Sequence, residues 1–447
     1  MRRRIPGVER RTLRILALAL VACGGEARSA SAATVEATPE VVASLRADLV
    51  TLIERDAQKL ENVCNASALV IAIRVASGDV VVRLRERVRR VVAPALVSGQ
   101  PDCLVDIAAR LVPLVPDTDK RKLIASLATF YEKGIKGWGL YRTVMPSIAA
   151  HLTAEESARF ARVARAESAS SCLRTIILTH LADAGRVPPA EAFTAIQASR
   201  DNWCLERDEL GVLRLGDDAI LRALYPKEMA LLDEPPARFG YGHVEALALL
   251  APYLDARRRR VLLAAAFRAM PTIYVADRNG RGHDWGELPP QVHFWAAMTR
   301  LAPVVDGALA DAALRAIPRV WSPEERALAA ASVAVELPPA IRRANLRSFL
   351  NAIPRTQTAA ACTARLLLAA ELSPEDARAA LECVLRQDKD PWHHAVKIAQ
   401  ALRVLPAASQ AAYAARIRAD IAAETSADSR VSDAASVLEA LDGARRW

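Results

Sequence analysis

Apolar residues recur every three or four positions along most of the chain, which is the spacing that places them on one face of an α-helix. The pattern is clearest in four segments: 120–130, 154–164, 326–335 and 411–422. These segments consist largely of Ala, Leu and Arg, all of which are good helix formers. The pattern therefore predicts a chain that is helical throughout.

One segment, 80–92 (VVVRLRERVRRVV), superficially alternates between apolar and polar residues and is the best candidate for a β-strand. Its apolar positions nevertheless fit helical spacing better. The positions expected on the buried face are Val81, Leu84, Val88, Val91 and Ala95. We predict a helix here, with Pro94 ending it or kinking its last turn.

Helix starts are marked by a hydroxyl residue followed by acidic residues, in three cases with an intervening proline. The motifs are Thr38-Pro39-Glu40, Thr153-Ala154-Glu155-Glu156, Ser322-Pro323-Glu324-Glu325 and Ser373-Pro374-Glu375-Asp376. The hydroxyl caps free amides, proline fits the first helical position, and carboxylates interact favourably with the positive end of the helix dipole. Thr153 with Glu156, and Ser322 with Glu325, also have the spacing of a capping box.

The helix starts after Ser322 and Ser373 lie 51 residues apart, which suits one repeat of two helices with their connections. Over 39–447 the chain resembles the HEAT-like class of α-solenoids in architecture, although no period holds cleanly and no repeat consensus is matched. The resemblance implies an all-α, irregular array of antiparallel helix pairs. An irregular globular bundle is the alternative, but about 410 residues exceed what a single compact core usually supports.

Residues 1–22 have the pattern of a secretory signal peptide, a basic leader followed by a short apolar run. The run at 15–22 is far shorter than the ~20 residues that a membrane-spanning helix needs. Leu20-Val21-Ala22-Cys23 resembles the lipobox of bacterial lipoproteins, which implies that Cys23 receives lipid on its sulfur and becomes the new N-terminus. A competing A-x-A site would instead release the chain after Ala32.

The lipobox and the segment that follows it set the expected location of the protein. Residues 23–38, rich in Gly, Ala and Ser, would form a flexible tether between the lipid and a helical domain over 39–447. We expect a cell-envelope lipoprotein of the outer membrane or facing the periplasm. Gly24 in place of Asp favours the outer membrane by resemblance to other lipoproteins.

More than half of the chain's net positive charge lies in the predicted signal peptide. The whole chain carries +9, but residues 1–22 contain six Arg and one Glu, so only +4 remains after cleavage. This is modest, and we expect no nucleic-acid partner, since such binding needs basic residues concentrated on one face. Four consecutive arginines would spread around a helix and form a solvated rim, with contact to anionic headgroups or acidic envelope polymers as the alternative. They are Arg257, Arg258, Arg259 and Arg260.

Seven cysteines occur, and six remain when Cys23 is set aside. An even number in an exported chain suggests disulfides. The spacing suggests sequential pairs that each close about one helical hairpin: Cys64 with Cys103, Cys172 with Cys204, and Cys362 with Cys383. Metal binding is the rival interpretation, but the cysteines are dispersed and no C-x-x-C pair is present. We therefore expect disulfides and no metal or cofactor.

The segment 274–295 (YVADRNGRGHDWGELPPQVHFW) interrupts the helical pattern with three glycines and two prolines. Such irregular segments are often functional. It concentrates possible ligand or partner contacts, namely Asp277, His283, Asp284, Trp285 and His293. A second glycine-rich turn, 239–243, would bring His243 and Glu245 to the same rim if the two turns are neighbours.

Three interpretations of 274–295 compete. An EF-hand fails because Arg281 and Leu288 stand where oxygen ligands are needed. A metal or hydrolase site has suitable residues in His283, Asp284 and His293, but not in a known spacing. The third interpretation is an ordered surface loop whose tryptophans pack down and whose polar groups cap helices or contact a partner.

These observations favour a non-catalytic binding or scaffolding lipoprotein of the bacterial cell envelope, because a helical-repeat surface suits extended partners. The expected partner is an envelope protein or an acidic polymer. We expect the lipid on Cys23 to attach the chain to the membrane. No nucleophile elbow, phosphate loop or dinucleotide-binding glycine pattern occurs, so catalytic residues are not assigned. The alternative is an exported enzyme, a polysaccharide-acting α-toroid or a metal-assisted hydrolase with its site around 274–295.

Overall fold

The computed structural model describes most of the chain after the predicted leader and tether. The described residues are 39–59, 63–98, 102–132, 140–199, 207–275, 290–387 and 394–442. They form 23 α-helices, joined by turns and short 3-10 helices, with no β-strand among them. The all-α prediction is therefore confirmed for this part of the chain. The predicted signal peptide, the lipidation site Cys23 and the tether lie outside the described residues.

The chain divides into two compact units, and each collects segments that are far apart in sequence. Of the described residues, unit 1 contains those within 39–43, 227–420 and 439–442, and unit 2 contains those within 44–226 and 421–438. The antiparallel pairing of helices that is expected from the sequence stays a prediction, as does their continuation as a single solenoid.

Unit 2 contains the first ten helices and the last. In chain order the first ten are α1 (Pro39–Asp56), α2 (Ser67–Val75), α3 (Gly78–Ser98), α4 (Asp102–Leu111), α5 (Asp117–Glu132), α6 (Leu140–Ile148), α7 (Ala154–Ala166), α8 (Cys172–Asp183), α9 (Pro189–Ser199) and α10 (Asp218–Leu224). Helices pack against their neighbours and also against the next but one, as α4 does with α6 and α6 with α8. Helix α8 is the centre of this packing, because nine of its twelve residues are buried.

Unit 1 contains the next twelve helices. They are α11 (Pro226–Asp233), α12 (Tyr241–Leu250), α13 (Ala256–Ile273), α14 (Pro290–Leu301), α15 (Ala310–Arg315), α16 (Pro323–Glu336), α17 (Pro339–Ala344), α18 (Leu346–Ala352), α19 (Ala359–Leu367), α20 (Pro374–Gln387), α21 (His394–Leu402) and α22 (Ala407–Ala422). Helix α12 packs on α13 and α14, while α16 packs on α19. The small side chains of 329–334 are all buried, which lets α16 approach its neighbours closely. The final helix, α23 (Ala427–Leu441), lies mainly in unit 2.

Local sequence signals place the helix starts well. Helices α1, α7, α16 and α20 begin at the residues that follow the predicted capping hydroxyls. Both predicted capping boxes are present, Thr153 with Glu156 and Ser322 with Glu325. The 80–92 segment lies within helix α3, where Leu84 and Val88 are fully buried. This helix continues through Pro94 to Ser98, so the proline does not end it.

Disulfides join neighbouring parts of each unit. In unit 2, Cys64 on the 3-10 turn Val63–Ala66 bonds Cys103 on α4, with their Cα atoms 5.5 Å apart. In unit 1, Cys362 on α19 bonds Cys383 on α20, with their Cα atoms 5.8 Å apart. Both bridges are pairs that the spacing predicts. Cys172 is also in a disulfide, and its predicted partner, Cys204, lies outside the described residues.

The bridges bear on the compartment, because disulfides form and persist mainly in oxidising environments outside the cytosol. They indicate that the protein works in such an environment. Among the described residues, no helix is both long enough and apolar enough to cross a bilayer.

Candidate functional site

The predicted irregular segment is shorter than the sequence pattern suggests. Tyr274 caps the end of α13, and Pro290 already begins α14. His293 therefore lies on a helix, and Trp295 packs into the core with 7% of its surface exposed. The other candidates in this segment, namely Asp277, His283, Asp284 and Trp285, lie outside the described residues.

A polar group joins the start of α12 to the first turn of α14. The hydroxyl of Tyr241, the first residue of α12, lies 3.2 Å from Nδ1 of His293. Glu245, one turn further along α12, lies near the same hydroxyl and raises its pKa. Tyrosine and glutamate share a helix face because they are four positions apart. We call Tyr241, Glu245 and His293 the polar triad.

The protons of the polar triad follow from its chemistry. Burial, and then the charge of Glu245, raises the pKa of Tyr241 to about 12, so its hydroxyl is protonated near neutral pH. A protonated phenol can both donate and accept a hydrogen bond, so the tautomer of His293 decides which of the two residues donates in their contact.

Buried aromatic rings pack against Tyr241 of the polar triad. Tyr274 is fully buried and meets Tyr241 edge to face, with ring centroids 6.2 Å apart. Phe294 stands edge to face against Tyr274 and Trp321, with centroids 5.6 and 5.1 Å away. Trp321 Nε1 also donates to the carbonyl oxygen of Tyr274 at 3.1 Å. Burial, together with the nearby charge of Glu245, raises the pKa of Tyr274 above its ordinary range.

His243 has a different role from the one its neighbourhood in the sequence suggests. Its Nδ1 accepts a hydrogen bond from the backbone amide of Gly240 at 3.1 Å, which caps α12. Its Nε2 lies 3.3 Å from Glu234, and its ring stacks on Phe239 with centroids 4.9 Å apart. Both ring nitrogens are thus used at the start of α12, whereas His293 contacts Tyr241.

The predicted convergence of His243, Glu245 and His293 is therefore only partly present. Glu245 and His293 meet through Tyr241, and His243 turns to Glu234 instead. Within the described residues, no three histidine, cysteine or carboxylate side chains are placed to hold a metal ion. What the arrangement does chemically is join α12 to α14 through the contact between an imidazole and a protonated phenol.

The four arginines at the start of α13 diverge, as expected for consecutive helical residues. Arg258 pairs with Asp233 at 2.6 Å, and Arg260 pairs with Asp306 at 3.2 Å. Arg257 and Arg260 are exposed, while Arg258 and Arg259 are partly buried. Asp255 caps the helix by accepting from the amide of Arg258 at 2.9 Å. The run is thus divided between structural ion pairs and solvent.

Sequence reasoning missed the central residue of the site, Tyr241. Its spacing from Glu245 is visible in the sequence, but its other partner lies 52 positions away on another helix. No family model, curated protein or solved structure matches the chain. The function is therefore inferred from residues and contacts alone.

Proposed function

We propose that the protein is a non-catalytic binding protein of the bacterial cell envelope, anchored by lipid on Cys23. The observation that carries the proposal is the pair of disulfides, Cys64 with Cys103 and Cys362 with Cys383. They support an exported protein, because cytosolic thiols are kept reduced. The lipobox-like sequence that ends at Cys23 supplies the anchor.

The contacts of the candidate site favour binding over catalysis. A general acid or base needs a proton or a lone pair that faces the substrate. His243 uses both ring nitrogens to cap α12 and to pair with Glu234. Tyr241 uses its hydroxyl in the contact with His293. These groups hold helices in position, and the expected partner is an envelope protein or an acidic polymer that contacts exposed helix faces.

Metabolic labelling with a fatty-acid analogue tests the anchor. We expect the full chain to carry label and to fractionate with membranes, and Cys23→Ser to lose both properties. The matched control is Ala32→Asp, which disrupts the competing A-x-A site and should leave labelling unchanged. An unlabelled wild-type protein whose N-terminus begins after Ala32 would overturn the anchor and favour free secretion.

A second candidate, an exported hydrolase, is favoured by one observation, the contact between Tyr241 and His293 with Glu245 nearby. An imidazole beside a phenol is chemistry that an acid–base catalyst uses. Release of soluble fragments from envelope polysaccharide by wild type, lost in His293→Ala and retained in His243→Ala, would favour this function. Equal fragment release by all three proteins would exclude the polar triad from it.

A further inference from the structure

Two contacts determine how the segment 306–321 runs beside α13. Near the start of the helix, Arg260 Nε lies 3.2 Å from Asp306 Oδ2. At its end, Trp321 Nε1 donates to the carbonyl oxygen of Tyr274 at 3.1 Å. Helix α15 packs against α13 between these points. The segment therefore runs in the same direction as α13 and lies next to it.

This pair of elements exposes arginines together with apolar side chains. On α13, Arg257, Val261 and Arg268 fall on one helix face, with Arg260 at its edge. Val261 and Val320 are 53% and 64% exposed, unusually high for large apolar residues of this protein. We call the exposed set the basic strip: Arg257, Arg260, Val261, Arg268, Arg315, Arg319 and Val320.

Most arginines of the basic strip have no acidic partner in the part of the chain that the structure describes. Helix α13 has no acidic residue, and the segment beside it contributes Asp306 and Asp311 against the five arginines. Of these five, the described residues give an ion-pair partner to Arg260 alone. Arg268 donates only to the carbonyl of Ala264 on its own helix. Among the described residues, the strip therefore has more arginines than acidic partners, and two exposed valines belong to it.

A similar surface in unit 2 shows the contrast. Val82 on α3 is 62% exposed and also lies among arginines. There Arg89 and Arg90 both pair with Glu86, at 2.8 and 3.1 Å, and Arg83 pairs with Glu54. Two glutamates thus pair with three of the arginines near Val82, so more of this surface's charge is paired within the protein than in the basic strip, and it serves as a control.

We propose that the basic strip seats unit 1 on the anionic surface of a phospholipid bilayer. Arginines near such a surface are attracted to lipid phosphates, each strengthening binding by about five-fold. Exposed valines among them suit the boundary between headgroups and acyl chains, where apolar and charged groups are both accommodated. An acidic polymer would satisfy the arginines and offer nothing to Val261 or Val320.

The strip also has the bilayer within reach, a point that rests on the proposed anchor at Cys23. The first described residues, 39–43, belong to the same unit as the strip. Fifteen residues, 24–38, lie between Cys23 and the first described helix, and a chain of that length spans at most about 50 Å. An anchored chain would thus hold the strip at a high effective concentration near the membrane, so weak binding is sufficient.

Tryptophan reporters test whether the strip itself enters the interface. The full chain carrying Cys23→Ser, which removes the lipid, is mixed with vesicles of brominated phosphatidylglycerol and phosphatidylcholine. We expect bromine to quench the fluorescence added by Val261→Trp or Val320→Trp, measured against the same chain without the reporter. No such quenching is expected for Val82→Trp, nor for Val261→Trp on vesicles of phosphatidylcholine alone. Absence of quenching at Val261 and Val320 would overturn the proposal, even if the chain binds vesicles elsewhere.

Charge variants supply the second arm. Replacing Arg257, Arg268 and Arg315 with Ser should weaken binding to anionic vesicles by more than ten-fold, since each arginine contributes about five-fold. The control Arg89→Ser with Arg90→Ser should change binding less than two-fold. Equal losses in both, or binding to polyglutamate without binding to vesicles, would reject the bilayer as the partner. Because this chain carries no lipid, failure of the strip and failure of the anchor are separate results.

Discussion

Arg430 donates from Nε to Asp56 at 2.7 Å and joins residues that are 374 positions apart. The Asp56 side chain is only 2% exposed, and it also accepts two hydrogen bonds from Arg55, at 2.8 and 3.0 Å. Arg430 donates further to the carbonyl oxygen of Glu424 at 2.8 Å. Within unit 2, this buried ion pair fixes the last helix, α23, to the first, α1.

Breaking the ion pair should be costly. Arg430→Met leaves Asp56 with Arg55 alone, whose side chain is 65% exposed. Removing one partner of a buried pair typically lowers the free energy of unfolding by about 3 kcal/mol, and we expect this loss in urea denaturation. The control is Arg222→Met, which breaks an exposed pair with Asp218 and should cost less than about 0.5 kcal/mol. Similar losses in both variants would show that the Arg430 pair behaves as a surface pair.

The same carboxylate predicts acid sensitivity. Hydrogen bonds from Arg55 and Arg430 hold the pKa of Asp56 far below its ordinary range. Because the pKa of Asp56 is lower in the folded state than in the unfolded state, the ionised carboxylate stabilises the fold at pH values above the unfolded-state pKa, which is near 4. This stabilisation is lost as the pH falls further. The difference in unfolding free energy between wild type and Asp56→Asn should therefore shrink steadily below about pH 4. A difference that stays constant between neutral and strongly acidic pH would contradict this assignment.

The disulfides should contribute strongly to stability. The bonded residues are 39 and 21 positions apart. Loops of this size give about 3–4 kcal/mol each in the chain-entropy model, so thermal unfolding should occur at lower temperature after reduction. Cys362→Ser and the double variant with Cys383→Ser should lose similar stability, because either change removes the same bond. A double variant as stable as wild type would show that the bridge does not constrain the unfolded chain.

Glu245 should control the titration of Tyr241. Burial and the carboxylate raise the phenol pKa to about 12, so the stability contributed by the protonated hydroxyl is lost as pH rises from about 10 to 12. Glu245→Gln should lower this pKa, as measured by tyrosinate absorbance against a Tyr241→Phe reference. The control is Glu234→Gln. Because Glu234 contacts His243, this change should leave the Tyr241 titration unchanged. A Tyr241 pKa that is the same in Glu245→Gln as in wild type would remove Glu245 from the polar triad.

The capping box of α16 offers a local test. Ser322 accepts from the Glu325 amide at 3.1 Å, and Glu325 accepts from the Ser322 amide at 2.8 Å. Glu325 also accepts from Gln291 of α14 at 2.9 Å. Ser322→Ala should lower the free energy of unfolding by about 1 kcal/mol. Ser126→Ala, at an exposed position within α5, should change it by less than about 0.5 kcal/mol. Equal changes in the free energy of unfolding for the two variants would mean that the Ser322 cap does not stabilise the protein.

The extent to which the site could be predicted differs between its residues. The glycine-rich turn correctly drew attention to the start of α12, and the spacing of Tyr241 and Glu245 places them on one helix face. That His293 is helical was not predicted, because two prolines and three glycines before it suggested a loop through to 295. Pro290 instead occupies the first position of α14, a place that proline favours.

What the sequence determined by itself is local. Helical periodicity, capping hydroxyls before Ala154 and Pro323, and cysteines one hairpin apart all act over short stretches, so their outcome can be read along the chain. Only the tertiary structure decided which helix faces meet: Tyr241 with His293, and Asp56 with Arg430. Local spacing contains no information about these partners, because they are selected by packing of whole helices across 52 and 374 positions.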